Sequence, residues 1–195
     1  MLYLTKIEVS LNEAARNRIR DAYSWHRMLW QAFPGASGQR RDFLFRVDNQ
    51  GAAFRVLLLS GRRPDPPHWG SWQTKPVAES FLEHRAYRFQ LRANPTMRRA
   101  SDKRRLAIYH QERLRKWMAR KAESSGFAIV DGSLAVGAPI DQYFIRNGRR
   151  GKHVSVEFSG ALEVSQRPLF RQAFARGIGS AKAFGFGLLM LQPIG

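Results

Sequence analysis

The 195 residues suffice for one large domain or two small ones, and no apolar run reaches the ~18 residues that a membrane-spanning helix requires. The first residues lack the basic start and apolar run of a secretion leader, and without cysteine there is neither a disulfide nor a thiolate metal site, so a reducing, cytoplasmic setting is expected. Lys and Arg number 33 against 15 acids, a formal net charge of +18 that calls for a polyanionic partner. Arg dominates, with 26 Arg to 7 Lys. Its planar fork grips phosphate and stacks on bases, so nucleic acid is expected ahead of an anionic membrane. A GC-rich coding sequence raises Arg on its own, which leaves the net charge as the weightier observation.

In chain order, residues 2–9 (LYLTKIEV) alternate as a strand does. Ser10 with Glu13 three residues on reads as a capping box opening a helix to about Phe33, stopped by Pro34-Gly35. Two strands, RDFLFRVD and AAFRVLLLS, follow around a hairpin-like Asn49-Gln50-Gly51. The proline-rich stretch from Arg62 to Pro76 predicts irregular structure with short elements at most. The order then repeats. Tyr87, Phe89 and Leu91 share one face of a strand, and a basic helix is predicted over 107–124. The short strand FAIV and then QYFIR lead into a long strand or hairpin with Val154, Val156, Phe158, Leu162 and Val164 in phase. Pro168 suits the first turn of a helix with Phe170, Ala173 and Phe174 inward. The predicted fold class is α+β: two tandem ferredoxin-like βαββαβ domains, over residues 1–82 and 86–195, the first with a degraded second half.

Residues 176–191, RGIGSAKAFGFGLLML, carry four glycines and a lysine. They follow a helix and precede a strand, the reverse of a dinucleotide-binding fingerprint, and no Walker loop can be drawn through them. A helix cap and a tight turn account for about one of these glycines; the rest suggest backbone laid along a phosphate chain. No cofactor is expected. The acids are scattered without the clustering a two-metal nuclease needs, so no metal site is expected either.

The run GIGSAKAFGFGLLML resembles the C-terminal glycine-rich loop of the CRISPR-associated Cas6 superfamily. AYSWHRMLWQAFP followed by RDFLFRVD, and YRFQLRANPT, are similar to its CasE branch, and the likeness covers nearly the whole chain in order. The resemblance implies a metal-independent endoribonuclease that cuts CRISPR precursor RNA at the base of the repeat hairpin. It also implies retention of the mature guide RNA as a subunit of Cascade, beside other protein subunits. A non-catalytic RNA-hairpin-binding module or an assembly subunit on the same fold is the alternative.

On a helical wheel His26 lies at the edge of the apolar stripe, a position that by itself suits a hydrogen-bonded packing histidine. Tyr23 is its helix neighbour, and the two match the family's catalytic pair in position and type. An imidazole moves the proton of the 2′-hydroxyl, and a phenol orients the attacking or departing oxygen, leaving 2′,3′-cyclic phosphate and 5′-hydroxyl ends. Lys182 or Arg27 is expected to neutralise charge on the phosphate; the sequence does not choose between them. The other histidines (His68, His84, His110 and His153) default to surface or packing roles. For RNA binding the candidates are Arg146, Arg149, Arg150 and Lys152 on a hairpin tip, Arg98 and Arg99 in a second basic patch, and Gly177, Gly179 and Ser180 of the glycine loop.

Overall fold

The computed structural model describes residues 1–35, 41–99, 101–102, 104–146 and 148–194, with the Arg146 side chain outside the description. The strands Tyr3–Ser10 (β1), Phe43–Asn49 (β2), Ala53–Ser60 (β3) and Ser71–Pro76 (β4) form an antiparallel sheet in the order β2-β3-β1-β4. Strand β2 shows why its sequence is a continuous apolar run. Phe43 and Phe45 face the helical layer, while Leu44, paired with Leu59 across β3, packs into the core of the C-terminal half.

The helix predicted to run from Ser10 to Phe33 is instead Leu11–Arg16 (α1) and Ala22–Leu29 (α2), continued by a 3-10 turn at Trp30–Ala32. Asn17 Nδ2 donates to the Glu13 carbonyl and Arg18 takes a left-handed φ of 53°, which ends the first segment. Asp21 then caps the second: its carboxylate accepts from Ser24 N at 2.8 Å, and Ser24 Oγ accepts from Asp21 N at 2.9 Å. Ser10 does cap α1, accepting from Glu13 N at 3.2 Å. The Glu13 carboxylate, however, accepts from Gly70 N at 2.8 Å and fixes the approach to β4. Between β3 and β4 the described residues form no helix, so the first unit is a ferredoxin-like sheet lacking its second helix. The short element within the proline-rich stretch is a complete fourth strand, hard to see because its burial is partial and it ends on an edge proline.

In the C-terminal half, Ala86–Ala93 (β5) is the hub. The small ribbon Thr96–Arg98 (β6) and Arg105–Ala107 (β7) follows, so the basic helix begins late, at Gln111–Glu123 (α3). Next come Phe127–Ile129 (β8), Ala135–Val136 (β9), Ile140–Arg146 (β10), Arg149–Val164 (β11), Arg167–Arg176 (α4) and Leu189–Ile194 (β12). The sheet runs β10-β11-β5-β12, with β8 and β9 also on β11. Residues 156–163 of β11 pair with β5 over the core, whereas 149–155 pair only with β10 and form a projecting hairpin. Tyr87, Phe89 and Leu91 are buried against Leu114, Trp117 and Phe170, as the strand's alternation predicts. The fold is thus α+β with tandem ferredoxin-like units. Among the described residues no helix is long and apolar enough to cross a membrane.

Candidate functional site

Helix α2 buries Trp25, Met28 and Leu29 on the first sheet and leaves Tyr23 and His26 half-exposed on its flank. Their ring centroids are 6.3 Å apart, the spacing of helix neighbours three residues apart. Trp30 Nε1 donates to His26 Nε2 at 3.2 Å; an indole can only donate, so the neutral imidazole carries its proton on Nδ1. Phe43 and Phe45 stand at 5.8 and 6.4 Å from the His26 ring.

The C-terminal glycine loop closes over this flank. Its 3-10 turn, Lys182–Phe184, sets Phe184 in a stack on Tyr23 at 6.1 Å, and Gly185 lies over Phe45. All four glycines have positive φ, from 74 to 89°, so turn geometry accounts for each of them and not for one alone. At Gly177 a Cβ would also stand 2.8 Å from the Gly187 carbonyl, the group that accepts from Ile178 N to close the loop.

Lys182 lines a basin with Arg41, Asp42, Phe43 and Arg176; Phe43 is common to this basin and to the His26 surroundings. Burial pushes the Lys182 ammonium below its usual pKa, and the nearby Arg41, Lys121 and Arg176 push it the same way. Arg27, the other candidate, is exposed on the outer side of α2. Arg41 and Arg176 were not singled out in the sequence, where nothing marks them among 26 arginines.

The remaining candidates fall into two places. On the projecting hairpin, Arg149 and Arg150 are exposed, and the Arg150 guanidinium lies 4.1 Å from the Tyr143 ring centroid. Arg146 pairs with Arg149 in the strand register, but its side chain lies outside the described residues. Lys152 donates to Tyr109 Oη at 3.0 Å and to Asp141 at 2.9 Å, bonds that raise its pKa. In a separate groove, Arg98 gathers with Arg105, Lys121, Trp117, Gly179 and Ser180. Arg99 stands beside Asp102 at 3.6 Å, and Ser180 Oγ donates to the Asn94 carbonyl at 3.2 Å.

Two linkages between the halves were also missed. Asp21 Oδ2 accepts from Ile145 N at 3.0 Å, pinning the hairpin to the helix that bears Tyr23 and His26. Arg92 reaches Glu157 at 2.5 Å, Asp48 at 2.8 Å and the Val47 carbonyl at 2.7 Å, while Arg46 joins Asp48 and Glu157 at 3.0 Å each. Among the described residues, no group of His, Cys, Asp and Glu is arranged to hold a metal ion.

Residues 2–193 match the family model described as CRISPR associated protein. The chain is 32% identical to the CRISPR system Cascade subunit CasE of Escherichia coli (strain K12), covering 99% of this chain and 100% of that one. It is 29% identical to the CRISPR-associated endoribonuclease Cse3 of Thermus thermophilus, over 98% of this chain and 100% of that one. A structure of CRISPR endoribonuclease Cse3 bound to 19 nt RNA superposes with a TM-score of 0.85 at 27% identity, covering 98% and 100% of the two chains. With the glycine loop seated on the Tyr23–His26 helix and a likeness that runs from end to end, this chain belongs to the CRISPR-associated CasE family.

Proposed function

We propose that this CasE-family chain is an endoribonuclease that cuts CRISPR precursor RNA at the base of the repeat hairpin and keeps the mature guide RNA as a cytoplasmic Cascade subunit. The observation that carries the reading is the meeting of Tyr23 and His26 with the glycine loop, beside a basin whose cations outnumber its acids. In this reading residues 1–82 supply the acid–base helix and residues 86–195 supply the loop and the basic hairpin. The 2′-hydroxyl loses its proton to a base, its oxygen attacks the adjacent phosphorus, and the bond to O5′ breaks as that oxygen takes up a proton. The products carry a 2′,3′-cyclic phosphate and a 5′-hydroxyl. Because the substrate brings its own nucleophile, the protein need supply only proton transfer and charge, and no metal ion or other cofactor is required.

His26 is the proton-transfer group and Tyr23 orients the reacting oxygens. Lys182, held half-buried among other cations, suits the charge on the pentacoordinate phosphate better than exposed Arg27. Arg98, Arg99, Arg149 and Arg150 bind the RNA backbone, with Gly177, Gly179 and Ser180 in the loop. His26→Ala is expected to lower single-turnover cleavage of a labelled repeat hairpin in EDTA by ~10²–10⁴-fold with hairpin affinity unchanged. Loss of affinity in step with rate would make His26 a packing residue and leave the chain a non-catalytic RNA-binding module.

A further inference from the structure

At the seam between the two units, beside the Tyr23–His26 flank, lies a pocket of about 360 Å³ that the functional reading does not use. Its walls are aromatic on both sides: Trp25, Phe45 and Phe54 from the first unit, and Tyr143, Phe144 and Phe184 from the second. We propose that this pocket receives one unpaired nucleobase of the bound RNA, from a nucleotide next to the phosphate that is cut. The proposal rests on the endoribonuclease reading above.

The chemistry of that reading creates the need. Attack by a 2′-oxygen requires it to stand opposite the departing O5′ across phosphorus, and a stacked A-form strand does not present it so. The nucleotide at the cut therefore has to leave the stack, and its freed base exposes two aromatic faces that favour an aromatic slot over water. Placement agrees. Ala22, which lines the pocket, directly precedes Tyr23, and Phe184 both lines the pocket and stacks on Tyr23 at 6.1 Å. Phe45 lines the pocket too and stands 6.4 Å from the His26 ring, so a base in the slot leaves its sugar and phosphate on the side of Tyr23 and His26.

The polar groups of the lining divide into spent and unspent. Asp21 uses its carboxylate oxygens on Ser24 and Ile145, and Arg92 spends its nitrogens on Asp48, Glu157 and the Val47 carbonyl. The Arg20 guanidinium and the Gln142 amide, by contrast, have no hydrogen-bond partner among the described residues. A primary amide both donates and accepts, as the edge of a base does, and the Arg20 charge suits the neighbouring phosphate. At the back, the His153 ring stacks on Phe144 at 4.7 Å. Asn94 Oδ1 accepts from Val154 N, which turns its amide nitrogen towards His153 Nδ1 at 3.3 Å. The imidazole is therefore a neutral Nε2–H tautomer, and that buried nitrogen also lacks a partner among the described residues.

The test combines pocket-filling variants with base removal. Val47→Phe and Gln142→Trp each fill the slot from a different wall without touching Tyr23, His26 or Lys182. Each is paired with repeat hairpins that are intact or abasic at either nucleotide flanking the mapped cut. At saturating protein, wild type is expected to lose about tenfold or more in single-turnover rate on one of the abasic hairpins. The filled variants should lose a similar factor on the intact hairpin and nothing further on that abasic one, because both changes remove the same contact. Losses that multiply overturn the proposal, as does normal cleavage of intact hairpin by a filled variant, the result expected if the slot serves a protein segment instead. Melting temperatures identify which variant is folded, and one folded variant suffices. Wild type that cuts no hairpin would overturn the endoribonuclease reading itself, a result distinct from a pocket that fails.

Discussion

Two groups of charged side chains lie where the halves of this molecule meet, and they are built on opposite principles. Around Arg92, three arginines (Arg46, Arg55 and Arg92) share two acids, Asp48 and Glu157, with every contact between 2.5 and 3.2 Å. Burial pushes the Asp48 carboxyl up, but Arg46, Arg92 and Arg55 together hold it below its usual pKa. Around Lys182 the balance is reversed. Arg41 and Arg176 face the same basin, and its one acid, Asp42, is held by Arg62 at 2.7 Å. The first group pairs acids with bases across the halves, whereas in the second, among the described residues, Lys182, Arg41 and Arg176 have no acid of the basin to themselves. On the proposed function, that difference separates a structural ion network from a surface that receives an anion.

The sharpest way to break this comparison is Lys182→Met. Cleavage should fall about 10²-fold, as for removal of a donor to a developing oxyanion, while the melting temperature holds or rises. A clear drop in melting temperature would place Lys182 with the structural charges. Arg92→Ala should do the opposite. Stripping a largely buried network of its central partner costs about 3 kcal/mol, or roughly 6–12 °C for a chain of this size. Calorimetry checks it, and an unchanged melting temperature would mean that apolar packing alone joins the halves.

The hairpin offers the same contrast at the surface. Arg149 and Arg150 carry no ion pair among the described residues, so removing both should flatten the salt dependence of RNA binding by a slope of about 1.5 to 2. Lys152→Ala should add less than a full unit, because Asp141 already holds that ammonium; equal slopes for all three would erase the distinction.

The smallest effect concerns His153, whose imidazole burial holds below its usual pKa of 6.5. The unfolded chain then binds the proton more readily, so this contribution to stability is complete above about pH 6.5 and declines as the pH falls below it. His153→Phe should remove that part of the acid-side loss, measured as melting temperature between pH 7.5 and 5.5. An unchanged pH profile would assign the loss to other groups.

Much of the fold was legible because the signals were local. The alternation of Tyr87, Phe89 and Leu91 fixed a strand and its buried face, and Gly51, at a φ of 86°, fixed a hairpin. The break between α1 and α2 was not legible, since Asp21 settles it partly through Ile145, 124 residues away. The ribbon of β6 and β7 was hidden by its arginines, which read as a second basic patch for RNA. At the site, Tyr23, His26 and the glycine run could be named in advance. Arg41 could not, because only folding brings it beside Lys182.

The seating of the glycine loop on α2 also has a consequence in time. Lys182 leaves the ribosome about 150 residues after His26, roughly 8–30 s later at ordinary elongation rates. Throughout that interval the first sheet can form with α2 on it, yet Phe184 is absent from Tyr23 and no lysine stands across Phe43. On the proposed function, a nascent chain in that interval carries the Tyr23–His26 helix without the loop that completes the site.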